Sequence, residues 1–372
     1  MPRSSAADWQ PRPVVSYALP FHRPVVTWIL LAAIVVVFGL ETVAGGSTET
    51  EVLVRLGAKV TPLIVAGEYW RLLTAMFLHI GVFHLLFNGY ALVAIGTELE
   101  RIFGPVRFAI IYFLAGLLGS LASYAFSYTL SAGASGAIFG VIGALAAFFI
   151  LHRERLGAWG RARLGNIAFL IGINLFLGFT RPGIDNLGHI GGLIGGLGLG
   201  WALAPRYRLD PTRGAAVDEN SPTRYLPAVL AAVLLLAGGT VLATLSHRDD
   251  PRLYLSRGRE AIQREAWDEA AAELEQAIAQ DPSIADVSTY FFLGLAYNQM
   301  DQPEQAAEAY EAGLALDPRD EPSHWNLALT YYQLERHAEA LEHFRAYLEL
   351  NPGDAERVQP YIDALERRLP DG

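Results

Sequence analysis

Five polar side chains lie within or at the ends of long apolar stretches: His79, His84, Asn88, Ser135 and His189. Ionisable and hydrogen-bonding groups are costly inside a lipid bilayer, so those found there indicate function or hydrogen bonding between helices. A serine hydroxyl beside an imidazole is the pair that acyl transfer uses, with the hydroxyl as nucleophile and the ring as general base. The chain therefore offers candidates for nucleophilic chemistry in an apolar setting.

Seven apolar stretches must position these side chains. Each is near the ~20 residues that a helix needs to cross ~30 Å of hydrocarbon. They cover residues 24–44, 76–97, 104–128, 134–152, 165–181, 186–204 and 225–245. We predict an all-α fold in which six spans form a membrane helix bundle and a seventh follows. Spans two, four and six run in one direction, so the five polar groups lie at similar depth near one membrane face.

The basic residues predict the orientation of the spans. With the N-terminus in the cytoplasm, the inner segments hold thirteen arginines and the outer loops hold four Arg or Lys residues. The side richer in Arg and Lys is normally cytoplasmic. We therefore expect a multi-pass protein of the bacterial inner or plasma membrane, with everything after about residue 246 outside the cytoplasm. The first stretch is longer than the apolar part of a signal peptide, which favours a retained span.

Charge and cysteine content exclude several functions. Residues 1–245 carry a net charge of +5 and residues 246–372 a net charge of −15, within a total of −10. An acidic tail argues against nucleic-acid binding, which needs concentrated positive charge. The chain has no cysteine, so it forms no disulfide or thiolate metal site. Partners of the tail are expected to be proteins.

The tail contains an internal repeat. Asp281-Pro282, Asp317-Pro318 and Asn351-Pro352 recur 36 and 34 residues apart, each after a pattern of small and large apolar residues. This period and pattern resemble the tetratricopeptide repeat, an α-solenoid of helix pairs that binds peptides or proteins on a concave surface. In the first repeat Arg257 and Ala261 stand where a leucine and a tyrosine are usual. Residues 354–368 are expected to form a capping helix, and a plain helical bundle is the alternative.

Glycines surround the candidate serine and histidine. They lie in the run 133–140 and at positions 188, 192, 196 and 200. Small residues at helical spacing allow two membrane helices to approach closely, and this packing role is the alternative to catalysis for the serine. The two roles are compatible, because close approach of spans four and six would bring the Ser135 hydroxyl within ~3 Å of the His189 ring.

Four motifs resemble the rhomboid family of intramembrane serine proteases. They are the Trp-Arg pair at 70–71, the His-x4-His-x3-Asn pattern at 79–88, Gly-Ala-Ser-Gly at 133–136 and Gly-His-Ile-Gly-Gly at 188–192. The resemblance covers about residues 20–205. Phe139 departs from the family, which frequently has a tyrosine there.

The resemblance implies a role for each site residue. Ser135 would be the nucleophile and His189 the general base, with His84 and Asn88 as oxyanion donors. The supporting positions would be His79, Trp70, Arg71, Gly133, Gly136 and Phe139. The substrate would be a single-span membrane protein cut close to the outer face. Because Glu98 and Glu100 fall at the inner end of span two and Asp185 in the loop before span six, a Ser-His dyad is favoured over a triad.

No cofactor or metal is predicted. The histidines are flanked by apolar residues, and His79 and His84 would diverge by about 140° if both lay on one helix. Water is expected to reach the site through a pocket open to the outer face.

The predicted domains are a cytoplasmic tail at 1–23, a six-helix rhomboid membrane domain at 24–204, a cytoplasmic linker at 205–224, the seventh span at 225–245 and the repeat domain at 251–368. Expected partners are transmembrane substrates, protein or peptide ligands of the repeats and membrane lipid, with no nucleic acid. One alternative function is a non-catalytic rhomboid-like adaptor. Another is a transporter, which would show inverted repeats that are not seen here.

Overall fold

The computed structural model describes residues 22–181, 183–210 and 215–369. The chain divides into two compact units, with the boundary between Thr244 and Leu245. The first unit is a bundle of apolar helices and the second an array of amphipathic helix pairs, which confirms the predicted all-α fold class.

The elements of the first unit follow one another through short connections. In chain order they are α1 (Val25–Val43), α2 (Thr50–Leu56), α3 (Thr61–Val65), α4 (Arg71–Thr74), α5 (Val82–Ala91), a π-helical turn (Leu92–Gly96), α6 (Thr97–Phe103), α7 (Pro105–Phe126), α8 (Ser135–Leu151), α9 (Arg153–Thr180), α10 (Asn186–Leu203), β1 (Tyr207–Asp210), β2 (Ala215–Asp218) and α11 (Pro222–His247). The two strands pair as an antiparallel hairpin.

Five helical segments in the described part of the chain are long and apolar enough to cross a membrane. They are Val25–Val43, Val82–Phe103, Pro105–Phe126, Arg153–Thr180 and Pro222–His247. The protein is therefore a multi-pass integral membrane protein. The other two predicted spans correspond to α8, which is apolar but has 17 residues, and to the glycine-rich α10.

Helix α8 is the centre of the bundle. Thirteen of its 17 residues are buried, because α7 and α10 pack along it and protein rather than lipid surrounds it. Bare backbone makes this possible: a Cβ on Gly192 would lie 2.0 Å from the Gly136 carbonyl oxygen, and one on Gly196 would lie 1.9 Å from that of Gly140. The α8–α10 glycine seam, defined by these four residues, thus places the two helices in backbone contact.

The second membrane helix starts later than predicted. It begins at Val82 rather than near residue 76, and Gly81 before it has a φ of +80°. This left-handed conformation breaks a helix and is favourable only for glycine. His79 consequently precedes the helix instead of lying on it, and the expectation that it shares a helix with His84 is wrong.

Helix α1 is capped from another part of the chain. Its first turn has no local side-chain cap, but the buried Glu100 carboxylate accepts hydrogen bonds from Val26 N (2.8 Å), Thr27 N (2.8 Å) and Thr27 Oγ1 (2.7 Å). A carboxylate at a helix N-terminus satisfies free N–H groups and complements the helix dipole. Both carboxylate oxygens of Glu100 are therefore engaged at the start of α1.

The seventh span packs against α7. The Tyr124 hydroxyl lies 2.9 Å from Thr244 Oγ1, and a Cβ on Gly239 would lie 2.7 Å from Leu121. At the other end of α7, Arg107 binds Asp218 at 2.6 Å. These contacts join α7 to α11 near residue 244 and to the strand that precedes α11 at its other end.

The second unit consists of three helix pairs and a terminal helix. They are α12 (Pro251–Gln263), α13 (Trp267–Gln280), α14 (Val287–Gln299), α15 (Pro303–Leu316), α16 (Glu321–Gln333), α17 (His337–Leu350) and α18 (Ala355–Glu366), with 3₁₀ turns at Pro282–Ile284 and Pro352–Asp354. Each predicted proline directly follows a pair, and the capping helix is present.

The turn inside each pair repeats as closely as the prolines do. Glu265, Asp301 and Glu335 have φ values of 57°, 56° and 59°, and they are spaced 36 and 34 residues apart. A left-handed conformation at an equivalent non-glycine position in all three repeats indicates that one backbone conformation is repeated.

The first of the three repeats packs like the other two despite its unusual residues. Ala261 is fully buried, and a Cβ on Gly258 would meet the Leu274 side chain at 2.7 Å, as one on Gly294 would meet the Tyr310 ring at 2.6 Å. Arg257 is exposed and lies 4.0 Å from Glu273, so its charge stays in water and the interior is closed by smaller residues.

Candidate active site

Ser135 and His189 come together at the end of the glycine seam. Ser135 is the first residue of α8, His189 lies in the first turn of α10, and Ser135 Oγ is 2.8 Å from His189 Nε2. Gly136 adjoins this contact, since a Cβ there would lie 3.4 Å from the Gly188 carbonyl oxygen. Residues 54 positions apart are thus held at the distance of a nucleophile and its base.

The ring of Phe139 fixes the plane of the histidine. It stacks on His189 with centroids 4.4 Å apart and an interplanar angle of 5°, one helical turn after Ser135. His189 is only 8% exposed. Its Nδ1 atom has no hydrogen-bond partner among the described residues, so packing rather than a carboxylate orients the ring.

His84 and Asn88 approach Gly133, two residues before the serine. A Cβ on Gly133 would lie 2.8 Å from His84 Nε2 and 3.7 Å from Asn88 Nδ2. His84 Nδ1 accepts a hydrogen bond from Ile80 N at 3.3 Å, so in the neutral ring the proton is on Nε2, which faces the glycine. Asn88 Nδ2 is buried without a partner in the described chain. Two N–H donors therefore point to the region beside the nucleophile.

Gly133 is required by its conformation as well as by space. Its φ is +142°, a region that favours glycine, and its N–H donates to the Ala75 carbonyl oxygen at 2.8 Å. A side chain at Gly133 would fill the volume in front of His84 and Asn88. The absence of a side chain keeps these donors accessible.

His79 supports this region and does not contact the serine. Its backbone N–H donates to Glu41 Oε1 at 2.9 Å, and its Nδ1 lies 3.1 Å from the Phe77 carbonyl oxygen. Its ring meets that of His84 edge to face at 5.2 Å, because it precedes the helix. No group of three His, Cys, Asp or Glu residues in the described ranges is arranged to hold a metal ion.

The Trp-Arg pair holds together the segment between α1 and α5. Arg71 is 5% exposed and donates to the carbonyl oxygens of Val54 (2.6 Å) and Ala58 (3.1 Å) and to Glu68 (2.6 Å). Trp70 lies under this guanidinium at 4.7 Å. All these contacts lie within the connection, so the pair stabilises its shape.

A polar cluster that the sequence motifs did not reveal adjoins the Ser135–His189 pair. Asp185 accepts a hydrogen bond from Ser131 Oγ at 2.6 Å, and Lys59 is buried against the segment that contains Ser131. The available signal was positional: Ser131 and Asp185 each lie four residues before Ser135 and His189.

A small cavity adjoins the serine and histidine. Its volume is about 20 Å³, and its lining includes Ser120, Ser123, Asp185 and His189. Ser123 Oγ is buried with no described partner. A cavity above ~10–15 Å³ with several polar groups is large enough for one water molecule.

Comparison with known proteins identifies two families in the chain. The Rhomboid domain family matches residues 66–206 and the Tetratricopeptide repeat family matches residues 291–355. RHOMBOID-like protein 7 of Arabidopsis thaliana is 35% identical over 223 residues, covering 57% of this chain and 70% of that protein. The chain belongs to the rhomboid family of multi-pass membrane proteins and carries tetratricopeptide repeats.

A second relative matches over both units. Rhomboid protease GluP of Bacillus subtilis is 38% identical over 304 residues, which is 82% of this chain and 57% of that protein. The chain thus spans little more than half the length of this relative. Among solved structures, MamA is 19% identical, covers 35% of this chain and 77% of its own, and superposes with a TM-score of 0.31.

Proposed function

We propose that this protein is a serine endopeptidase that cleaves transmembrane proteins near the outer membrane face by means of a Ser135–His189 dyad. The observation that carries the proposal is the 2.8 Å separation of Ser135 Oγ and His189 Nε2 at the meeting point of two buried helices. Membership of the rhomboid family supports an intramembrane protease, and the site supplies the groups that peptide hydrolysis needs.

The reaction starts at the hydrogen bond between these two residues. As Ser135 Oγ bonds to the carbonyl carbon of the substrate, its proton moves to His189 Nε2. The protonated ring then passes this proton to the leaving amine nitrogen as the peptide C–N bond breaks. A water molecule repeats the sequence in the second half, giving the acid product and restoring the Ser135 hydroxyl.

Two side chains suffice for this proton transfer. Glu100 is engaged at the start of α1, and Asp185 binds Ser131 and Gly188 rather than the ring. Stacking on Phe139 supplies the orientation that a third catalytic residue gives in a triad.

The donors beside Gly133 stabilise the negative charge that develops on the carbonyl oxygen. The backbone N–H of Ser135, Nε2–H of His84 and Nδ2–H of Asn88 form the oxyanion site. The first residue of a helix has an N–H without an intrahelical partner, and α8 begins at Ser135. Fixed donors of this kind stabilise the transition state without reorganisation.

The cavity behind the serine supplies the hydrolytic water. It reaches from the Ser135–His189 contact to Ser120 and Ser123, so a water molecule there has polar partners and lies close to the general base. This placement allows hydrolysis of the acyl intermediate in a region that lipid otherwise surrounds.

The repeats bind the part of the substrate, or of a companion protein, that lies outside the membrane. Helix pairs of this type expose a concave surface to peptides. Tethering that surface to the membrane unit raises the local concentration of the bound protein near the active site.

Reconstitution with a fluorescent single-span substrate tests the proposal. Ser135→Ala and His189→Ala should each lower kcat by roughly 10⁴-fold or more, because the two residues act as a unit. Ser221→Ala is the matched control, since this hydroxyl contacts only Thr223 among described side chains. Thermal unfolding should show that all variants are folded.

Either of two outcomes would contradict the proposal. Cleavage that persists in Ser135→Ala would exclude this serine as the nucleophile. A folded wild type that cuts no member of a panel of single-span substrates would instead favour the adaptor function.

A further inference from the structure

Two hydrogen-bonded pairs join the same two parts of the chain. The catalytic pair is Ser135 with His189, at 2.8 Å. The upstream pair is Ser131 with Asp185, whose Oγ and Oδ2 atoms are 2.6 Å apart. Each member of the upstream pair lies four residues before a member of the catalytic pair. A displacement of one pair is therefore transmitted to the other over a single short segment on each side.

Asp185 also fixes the start of the helix that carries the histidine. Its Oδ1 accepts a hydrogen bond from Gly188 N at 2.9 Å, and its carbonyl oxygen accepts one from His189 N at 3.1 Å. A side chain that caps the first turn satisfies free N–H groups and defines where the helix begins. The two carboxylate oxygens thus join the first turn of α10 to Ser131.

Ser131 is held from the other side by Lys59. Lys59 N donates to the Ser131 carbonyl oxygen at 2.9 Å, and Ser131 N donates to that of Lys59 at 3.1 Å. The Lys59 ammonium donates to the carbonyl oxygens of Ser127 (2.8 Å) and Thr129 (2.7 Å). These contacts fix the segment between α7 and α8 just before the nucleophile.

The lysine keeps its charge at neutral pH. Burial lowers the pKa of Lys59 to about 8, and the negative charge of Asp185 acts against this lowering. Lys59 is 1% exposed, so its ammonium depends on these carbonyl oxygens and on the carboxylate for the solvation that water would give.

We infer that Asp185 is a positioning residue, which holds Ser135 and His189 in register through its hydrogen bonds to Ser131 and Gly188. This inference rests on the proposed function. Asp185 does not touch the reacting atoms. Its role is to keep the hydroxyl and the ring at reacting distance, where a displacement of about 1 Å can cost ~10² in rate.

A fluorophosphonate, which phosphonylates an activated serine, tests the inference without a known substrate. Ser131→Ala and Asp185→Ala should lower the rate of phosphonylation of Ser135 by about tenfold or more, and kcat on a single-span substrate should fall in parallel with KM unchanged. The matched control is Ser127→Ala in the same segment. The Ser127 hydroxyl bonds only to Thr129 N among the described hydrogen bonds, and the substitution keeps the carbonyl oxygen that Lys59 contacts. Its rate should stay within about twofold of the wild type, since most substitutions away from an active contact have small effects.

Asp185→Asn separates the hydrogen bonds from the charge. The amide oxygen can accept from Gly188 N–H, and the amide nitrogen can donate to Ser131 Oγ. We expect this variant to retain a rate within about threefold of the wild type, since both contacts are kept. A loss as large as in Asp185→Ala would overturn the argument from hydrogen bonds.

The remaining outcomes are also decisive. A Ser131→Ala variant that reacts as fast as the wild type would overturn the inference, and so would an Asp185→Ala variant that loses only thermal stability. If Asp185→Ala does not fold, Ser131→Ala and Asp185→Asn carry the test. A folded wild type that neither reacts with the probe nor cleaves substrate would overturn the proposed function itself, which is a distinct result.

Discussion

At the scale of single residues, the groups around Ser135 act from two sides. In the proposed mechanism, His189 receives the hydroxyl proton on one side, and its ring stacks on Phe139. His84 and Asn88 present N–H groups on the other side, over Gly133. This separation matters because the proton and the negative charge of the carbonyl oxygen must move to different places in the same step.

The Asn88 donor can be tested with a variant of similar size. Asn88→Leu should lower kcat by ~10²–10³ with little change in KM, since the lost hydrogen bond forms only as charge develops on the substrate oxygen. Asn174→Leu is the matched control, because Asn174 is exposed on α9 and its side chain bonds only to the Leu170 carbonyl oxygen among described contacts. Steady-state cleavage of a single-span substrate measures both. A kcat within threefold of the wild type in Asn88→Leu would remove Asn88 from the oxyanion site.

At the scale of elements, the α8–α10 glycine seam brings Ser135 and His189 to hydrogen-bonding distance. The seam lets backbone touch backbone, so the two helices have one closely defined separation. The loop before Ser135 and the first turn of α10 are then adjusted by the upstream pair, Ser131 and Asp185. Helix packing sets the coarse position and hydrogen bonds set the fine one.

A pair of alanine substitutions on α10 tests the seam. Gly196→Ala should destabilise the membrane unit by about 3 kcal/mol or more and slow phosphonylation of Ser135, because the added Cβ collides with backbone and overpacking cannot relax there. Gly198→Ala is the matched control, since a Cβ at Gly198 meets nothing within 4 Å, and it should be neutral or slightly stabilising. Unfolding in mixed detergent micelles measures the first effect and probe labelling the second. Equal stability of the two variants would show that the seam tolerates extra volume.

At the scale of the whole molecule, a membrane unit and a repeat unit are joined in one chain. Each has its own hydrophobic core. The membrane unit holds all the residues of the candidate active site. The repeat unit holds three helix pairs whose inner packing is complete without the first unit's residues. We therefore expect the proposed chemistry and the proposed protein recognition to be separable by truncation.

Deletion of residues 246–372 should separate the two functions. We expect cleavage of a short single-span peptide to stay within about threefold of the full-length rate, because the truncated part contributes no group to the site. Cleavage of a protein whose folded domain binds the repeats should fall by ~10² or more, as the gain from tethering is lost. Quantitative proteomics of membranes with the full-length or the truncated protein would identify such substrates. Equal loss for both kinds of substrate, in folded protein, would contradict the division of labour.

The sequence by itself determined the class of fold, the repeats and the identity of the candidate residues. Apolar length, the period of the prolines and the glycine spacing are local patterns, and local patterns follow from the geometry of a helix and the cost of polar groups in lipid. Even Ser135 and His189 were recognisable, because their neighbours in sequence carry the motif. The predicted start of the second membrane helix was wrong, because an apolar run does not show that Gly81 adopts a left-handed φ.

Only the tertiary structure decided the distances and directions. The catalytic pair and the upstream pair each join residues 54 positions apart, and no local pattern fixes a separation across so much chain. The tautomer of His84 follows from a hydrogen bond with Ile80 N, which exists because the chain turns before α5. In the sequence, Asp185 is a loop residue without a motif, and only helix packing places it against Ser131. Such contacts depend on how the helices approach one another, and that approach is set by the whole core at once.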